Sequence, residues 1–116
     1  MNRVVEIRSY NLKADKRQEF ERLFAERARP MLERWGVDVI GFGRSMHDEN
    51  TFYLMRCYTS EQDRQQSQDA FYGSDEWRQG PREAILACID TYATVVLALD
   101  EETISGLRRT YVVGIH

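Results

Sequence analysis

Arg8 and Arg56 sit in the middle of strand-like runs and make the strongest chemical demand of any residues in the chain. A guanidinium is costly to bury alone. Each must therefore reach solvent, pair with an acid such as Glu6, or face a cavity that accepts an anion. Glu6, Tyr10, Tyr53, Tyr58, Tyr92 and Thr94 lie in the same kind of segment, and His47 and Trp77 in the turns and loops between. Arg8, Tyr10, His47, Arg56 and Trp77 are the candidate ligand-binding residues, suited to orienting a small apolar or anionic molecule in a pocket with few polar groups. The same tyrosines serve equally as amphipathic core or interface residues, and the arginines as members of ion pairs or of a hydrated rim.

Other chemistries are poorly served. Neither Cys57 nor any serine stands in a nucleophile elbow or a cysteine–histidine signature, so no catalytic residue is assigned. His47-Asp48-Glu49 offers nitrogen and oxygen ligands, but adjacent positions in a turn rarely converge on one ion, and no metal site is expected. With no glycine-rich phosphate loop and no dinucleotide fingerprint, no cofactor is expected either. Cys57 and Cys88 lack metal-ligand spacing and disulfide density, and each lies in an apolar pattern that predicts a reduced, buried thiol.

The 116 residues allow one core and leave no room for a separate cofactor domain, so any site must be built within the domain or between copies. Charged residues make up 30% of the chain, and the net charge of −3 gives no broad positive field for a nucleic-acid backbone. Nucleic acid is not expected as a partner. No stretch approaches the length needed to cross a bilayer, and the N-terminus opens into a strand with no charged-then-apolar leader. The expectation is a soluble, cytoplasmic protein with no membrane partner.

The elements that must position these residues follow from periodicity. Val5 and Ile7 alternate with Glu6, Arg8 and Tyr10, as in a strand whose faces meet different surroundings. Asp15 with Gln18 reads as a capping box, and apolar residues from Phe20 to Trp35 recur at helical spacing. That helix is predicted over about 15–35, kinked at Pro30 and ended by Gly36. Residues 37–43 and 51–58 predict a hairpin around the polar turn 47–50, with Gly41 and Gly43 marking a bulge or a close approach. Ser60 and Asp63 start a helix that is almost wholly polar to Asp69, which predicts a surface position or a role covering a partner. Gly73-Ser74 and Gly80-Pro81 then segment the chain. Within residues 71–82, Trp77 and Arg82 fit either a lid hinged at the glycines or two capped half-helices joined by a tryptophan plug. Residues 91–99 form the most apolar run and predict a central or doubly covered strand. A short helix follows, acids first and Arg108-Arg109 last, as the macrodipole favours.

Strand, helix, strand, strand, helix, strand is the split βαβ order of an α+β ferredoxin-like domain with a four-stranded antiparallel sheet. Helices on one side leave the other sheet face open, and a second copy is the economical way to bury it. Residues 4–13, the run Phe52-Tyr53-Leu54-Met55-Arg56 and residues 71–82, in that order, resemble the NIPSNAP family, related to the dimeric α+β barrels. The resemblance implies a ferredoxin-like domain over 1–99, a C-terminal helix and tail over 100–116, and a homodimer with its sheets face to face. Residues 110–115 are the candidate arm across the partner. It also implies a small-molecule binding or interaction module of unsettled biochemical role. The alternative is a cofactor-independent monooxygenase-like or haem-handling enzyme, with His47 as the haem ligand. Mitochondrial members of that family carry a leader, and since none is read in this sequence their organellar roles are not expected of it.

Overall fold

A computed structural model describes residues 2–111. Strands β1 (Asn2–Leu12), β2 (Asp38–Arg44), β3 (Thr51–Tyr58) and β4 (Ile89–Asp100) form one antiparallel sheet in the order β2-β3-β1-β4. This is the ferredoxin-like arrangement. The crossovers lie on one face: α1 (Arg17–Leu23), a π-helical turn over Phe24–Ala28 and α2 (Arg29–Arg34), then α3 (Glu61–Tyr72), α4 (Asp75–Gln79) and α5 (Arg82–Leu86). Helix α6 (Glu101–Thr110) ends the described chain. Among the described residues no helix is long and apolar enough to cross a membrane.

Local chemistry explains most boundaries. Ser60, Ser74 and Asp100 each accept a hydrogen bond from the backbone N–H three residues on, fixing the starts of α3, α4 and α6. Gly36 takes φ +73° after α2, and the Val37 N–H reaches back to the Leu32 carbonyl, the Schellman closure that a left-handed glycine permits. The capping box expected at Asp15 does not form. Asp15 itself adopts a left-handed turn (φ 65°), and α1 starts at Arg17 with no side-chain cap. The Pro30 kink takes a specific form. Proline cannot donate to the carbonyl four residues back and its ring crowds that carbonyl; the preceding turn widens instead, the Arg29 N–H bonding to the Phe24 oxygen.

Phe20, Leu23, Phe24, Met31 and Leu32 bury against Phe52 and Leu54 of the sheet, with the Phe20 and Phe24 rings each 5.1 Å from that of Phe52. Each such side chain contributes about 1.5–3 kcal/mol on burial. The other sheet face differs from expectation, because α6 folds back over part of it. Ile104 seals Val5, Ile40, Met55 and Cys57, joined by Leu107 and Tyr111, and Arg108 holds Asp38 of β2 through two bonds of 2.8 and 2.6 Å.

Strand β4 also departs from its predicted central place. It is an edge strand, paired to β1 alone, and residues 90–98 are exposed on both faces. Of its apolar run, Leu99 packs against the α6 cluster, and the residues before it are left largely open by the described residues. Of the expected arm, Thr110 closes α6 and Tyr111 lies over Gly41; residues 112–116 fall outside the described residues.

Candidate functional site

On the helix-facing side of β1, Glu6 is fully buried and opposite Arg56 of β3 in the register. Arg56 donates to Glu6 Oε1 through Nε (3.2 Å) and Nη2, and its Nη1 donates to the Tyr72 hydroxyl (2.8 Å). The second carboxylate oxygen is held from above. Arg64 Nη1 donates to Oε2 at 2.7 Å and Gln68 Nε2 donates to the same atom. Residues 64, 68 and 72 are one turn apart, so α3 presents its arginine, amide and phenol on one face. This is why an almost wholly polar helix can sit on a sheet. Its contact is a saturated hydrogen-bond network as well as the apolar anchor Phe71.

Burial acts to raise the Glu6 carboxyl, but the charges of Arg56 and Arg8 and the bonds from Arg56 and Gln68 outweigh it and hold it below its usual range. Burial drives the Tyr10 phenol well above its usual value, so it stays neutral. Arg8 is the loosely held member. Its Nη2 stands 3.5 Å from both Glu6 Oε2 and Gln68 Oε1, and its buried Nε has no hydrogen-bond partner among the described residues. Its guanidinium lies over the Tyr92 ring, 5.1 Å from the centroid.

A cleft of about 680 Å³ opens beside this network, between the β1–β4 edge and the helices α3 to α5. Arg8, Tyr72, Arg82 and Tyr92 give it polar groups, and Trp77, Ile85, Leu86 and Ile89 give it apolar walls. Its size and mixed lining suit a small organic ligand. A second void in the core, bounded by Tyr10, Phe20, Leu54 and Trp77, measures only about 30 Å³, room for a water and not for a ligand.

The family model for NIPSNAP matches residues 5–99. The chain belongs to the NIPSNAP family. Solved structures share the fold: an uncharacterized NIPSNAP-like domain protein from Burkholderia xenovorans has TM-score 0.77 at 19% identity, covering 85% of this chain and 86% of its own. A NIPSNAP family protein from Agrobacterium tumefaciens has TM-score 0.78 at 19% identity, covering 89% and 90%. A putative antibiotic biosynthesis monooxygenase from Bordetella bronchiseptica has TM-score 0.65 at 19% identity, covering 87% and 98%. No curated protein matches the chain.

Within this NIPSNAP fold, Arg8, Tyr10 and Trp77 line the cleft. Arg56 does not; it is spent on Glu6 and Tyr72 beneath the floor. His47 stands apart in the exposed β2–β3 turn, where its Nδ1 meets the Ser45 hydroxyl. Among the described residues no three His, Cys, Asp or Glu side chains are placed to hold a metal ion. Trp77, inside the Ser74-capped α4, packs edge-on to Tyr72 (5.2 Å) and against Phe71 (5.5 Å) at the end of α3 and also forms the cleft wall; α5, which follows, starts at Pro81 with no side-chain cap. Cys57 and Cys88 are free and buried. Sequence reasoning missed Arg64 and Gln68, although their spacing to Tyr72 on a polar helix was the available signal.

Proposed function

We propose that this chain is a homodimeric NIPSNAP-family module that binds a small apolar or anionic molecule in the cleft between the β1–β4 edge and α3 to α5. The observation that carries the reading is a ligand-sized recess whose apolar walls converge on a weakly satisfied guanidinium, Arg8. Sites of this build bind by apolar burial and orient by one charged contact. The dimer reading draws on β4. Val95 and Leu97 on one face and Tyr92 and Val96 on the other are large exposed hydrophobes on an edge strand, the kind of patch that marks association.

The fold shared with a putative antibiotic biosynthesis monooxygenase is compatible with the enzymatic alternative and gives it no preference, since one fold hosts unrelated chemistries. Haem ligation by His47 gains nothing from its place outside the cleft. The test is a nuclear magnetic resonance titration of the full chain with a set of small organic fragments. Binders should shift the Trp77 indole and the backbone signals of Arg8 and Gly73. Perturbations confined to other surfaces would overturn the reading.

A further inference from the structure

The charges beneath the cleft do not balance. Arg8, Arg56 and Arg64 are gathered around Glu6, and Arg64 also holds Glu61, so three guanidinium groups meet two carboxylates. Glu6 is already saturated by Arg56 and Arg64 at close range, leaving Arg8 at 3.5 Å with its surplus charge. Little of that charge reaches water, because only 14% of the Arg8 side chain is exposed, and that part borders the cleft. The other charged groups lining the cleft are Arg82 and Asp69, both exposed to solvent. Asp69 makes no ion pair with Arg8, so it does not supply the missing anion.

We infer that the cleft takes a monocarboxylate on a flat apolar body, its carboxylate meeting Arg8 and its ring lying between Tyr92 and the Ile85–Ile89 wall; this rests on the cleft being a binding site. A single surplus charge calls for a monoanion, and a planar guanidinium matches a planar carboxylate through two parallel bonds. A dianionic phosphate would need a second buried cation or a cradle of backbone N–H groups, and Arg82, the other cation at the cleft, is exposed at the surface. The ring is required by the walls. Tyr92 turns one face to the Arg8 cation and, more than half exposed, leaves aromatic surface for a ligand ring, while the aliphatic side chains of Ile85, Leu86 and Ile89 offer no polar partner.

The experiment is calorimetric titration of the full chain with 1-naphthoate, 1-naphthalenemethanol and inorganic phosphate in turn. Naphthoate should bind at least tenfold tighter than the neutral alcohol, and phosphate should bind more weakly than either. In Arg8→Gln the acid and the alcohol should bind alike, while Arg44→Gln, whose guanidinium pairs with Glu21 away from the cleft, should behave as the parent. Equal affinity of acid and alcohol in the parent overturns the carboxylate inference and leaves the cleft standing. Tighter phosphate binding, or a naphthoate preference that survives Arg8→Gln, also overturns it. Binding of none of the three overturns the inference and counts against the cleft together. Arg8→Lys, which keeps the charge but not the fork, should retain part of the preference and serves if Arg8→Gln fails to fold.

Discussion

Glu6 of β1 and Arg56 of β3 are directly opposite in the strand register, both buried, and joined by two hydrogen bonds from one guanidinium to one carboxylate oxygen. The pair does more than cancel charge. With its second oxygen Glu6 receives Arg64 and Gln68, so one carboxylate ties two strands to the helix that roofs the cleft. Removing a buried charge is asymmetric, because the partners left behind carry the cost.

Glu6→Gln should therefore destabilise the fold by about 3–5 kcal/mol, since it leaves Arg56 and Arg8 with no carboxylate and Arg64 with Glu61 alone. Arg56→Met should cost less, because Glu6 keeps Arg64, Gln68 and Arg8. Urea unfolding followed by circular dichroism gives both values. An equal or reversed order would show that Glu6 is not the hub.

The same carboxylate sets an acid limit. Its folded pKa lies below the unfolded value of 4.5, so its contribution is fully present above about pH 4.5 and is lost as pH falls through the folded value. Glu61, drawn down to about 2 by its bonds to Arg64, adds an exposed contribution of the same sign. Urea midpoints should thus fall steadily below pH 4.5 in the parent. In Glu6→Gln the slope should be shallower, and an unchanged slope would assign the acid sensitivity to other groups.

Strand β4 carries the assembly prediction. Val95 is 52% exposed and Leu97 40% exposed on the sheet face that α6 leaves open. Light scattering after size exclusion should report twice the chain mass at micromolar concentration, and Leu97→Glu should halve it. A monomeric parent would reject the dimer.

What the sequence discloses, and what it hides, divides along the range of the cause. Strand β3 was legible from Thr51 to Tyr58 because aromatic and β-branched residues fill it, and the starts of α3 and α4 because Ser60 and Ser74 act on the next turn. Asp15 misled for a local reason: aspartate serves a left-handed turn as well as a cap, and the spacing to Gln18 fits both. The run in β4 misled for a distant one, since hydrophobicity reports that a strand is to be covered and not by what. The mid-strand arginines pointed to the cleft region, but only the register separates Arg56, paired across to Glu6, from Arg8, two residues along β1 at the cleft. The return of α6 over the second face was written in Ile104, Leu107 and Tyr111, whose spacing gives a stripe but no address.

That address is Gly41. A β-carbon built on Gly41 would stand 2.6 Å from the Tyr111 β-carbon and 3.2 Å from the Met55 methyl, so Tyr111 can approach β2 only because this position has no side chain. The atom met is at the root of Tyr111, which cannot swing aside without moving the end of α6. Gly41→Ala should cost about 1–3 kcal/mol from overpacking and lift Tyr111 off its edge-on contact with Tyr53, 5.9 Å between ring centres. Tyr111→Gly in the same background should remove most of that penalty, because it takes away the β-carbon that the new methyl group meets. Urea unfolding of the two single variants and the double gives the coupling. Additive effects would mean that α6 is held by Ile104 and the Arg108–Asp38 pair alone.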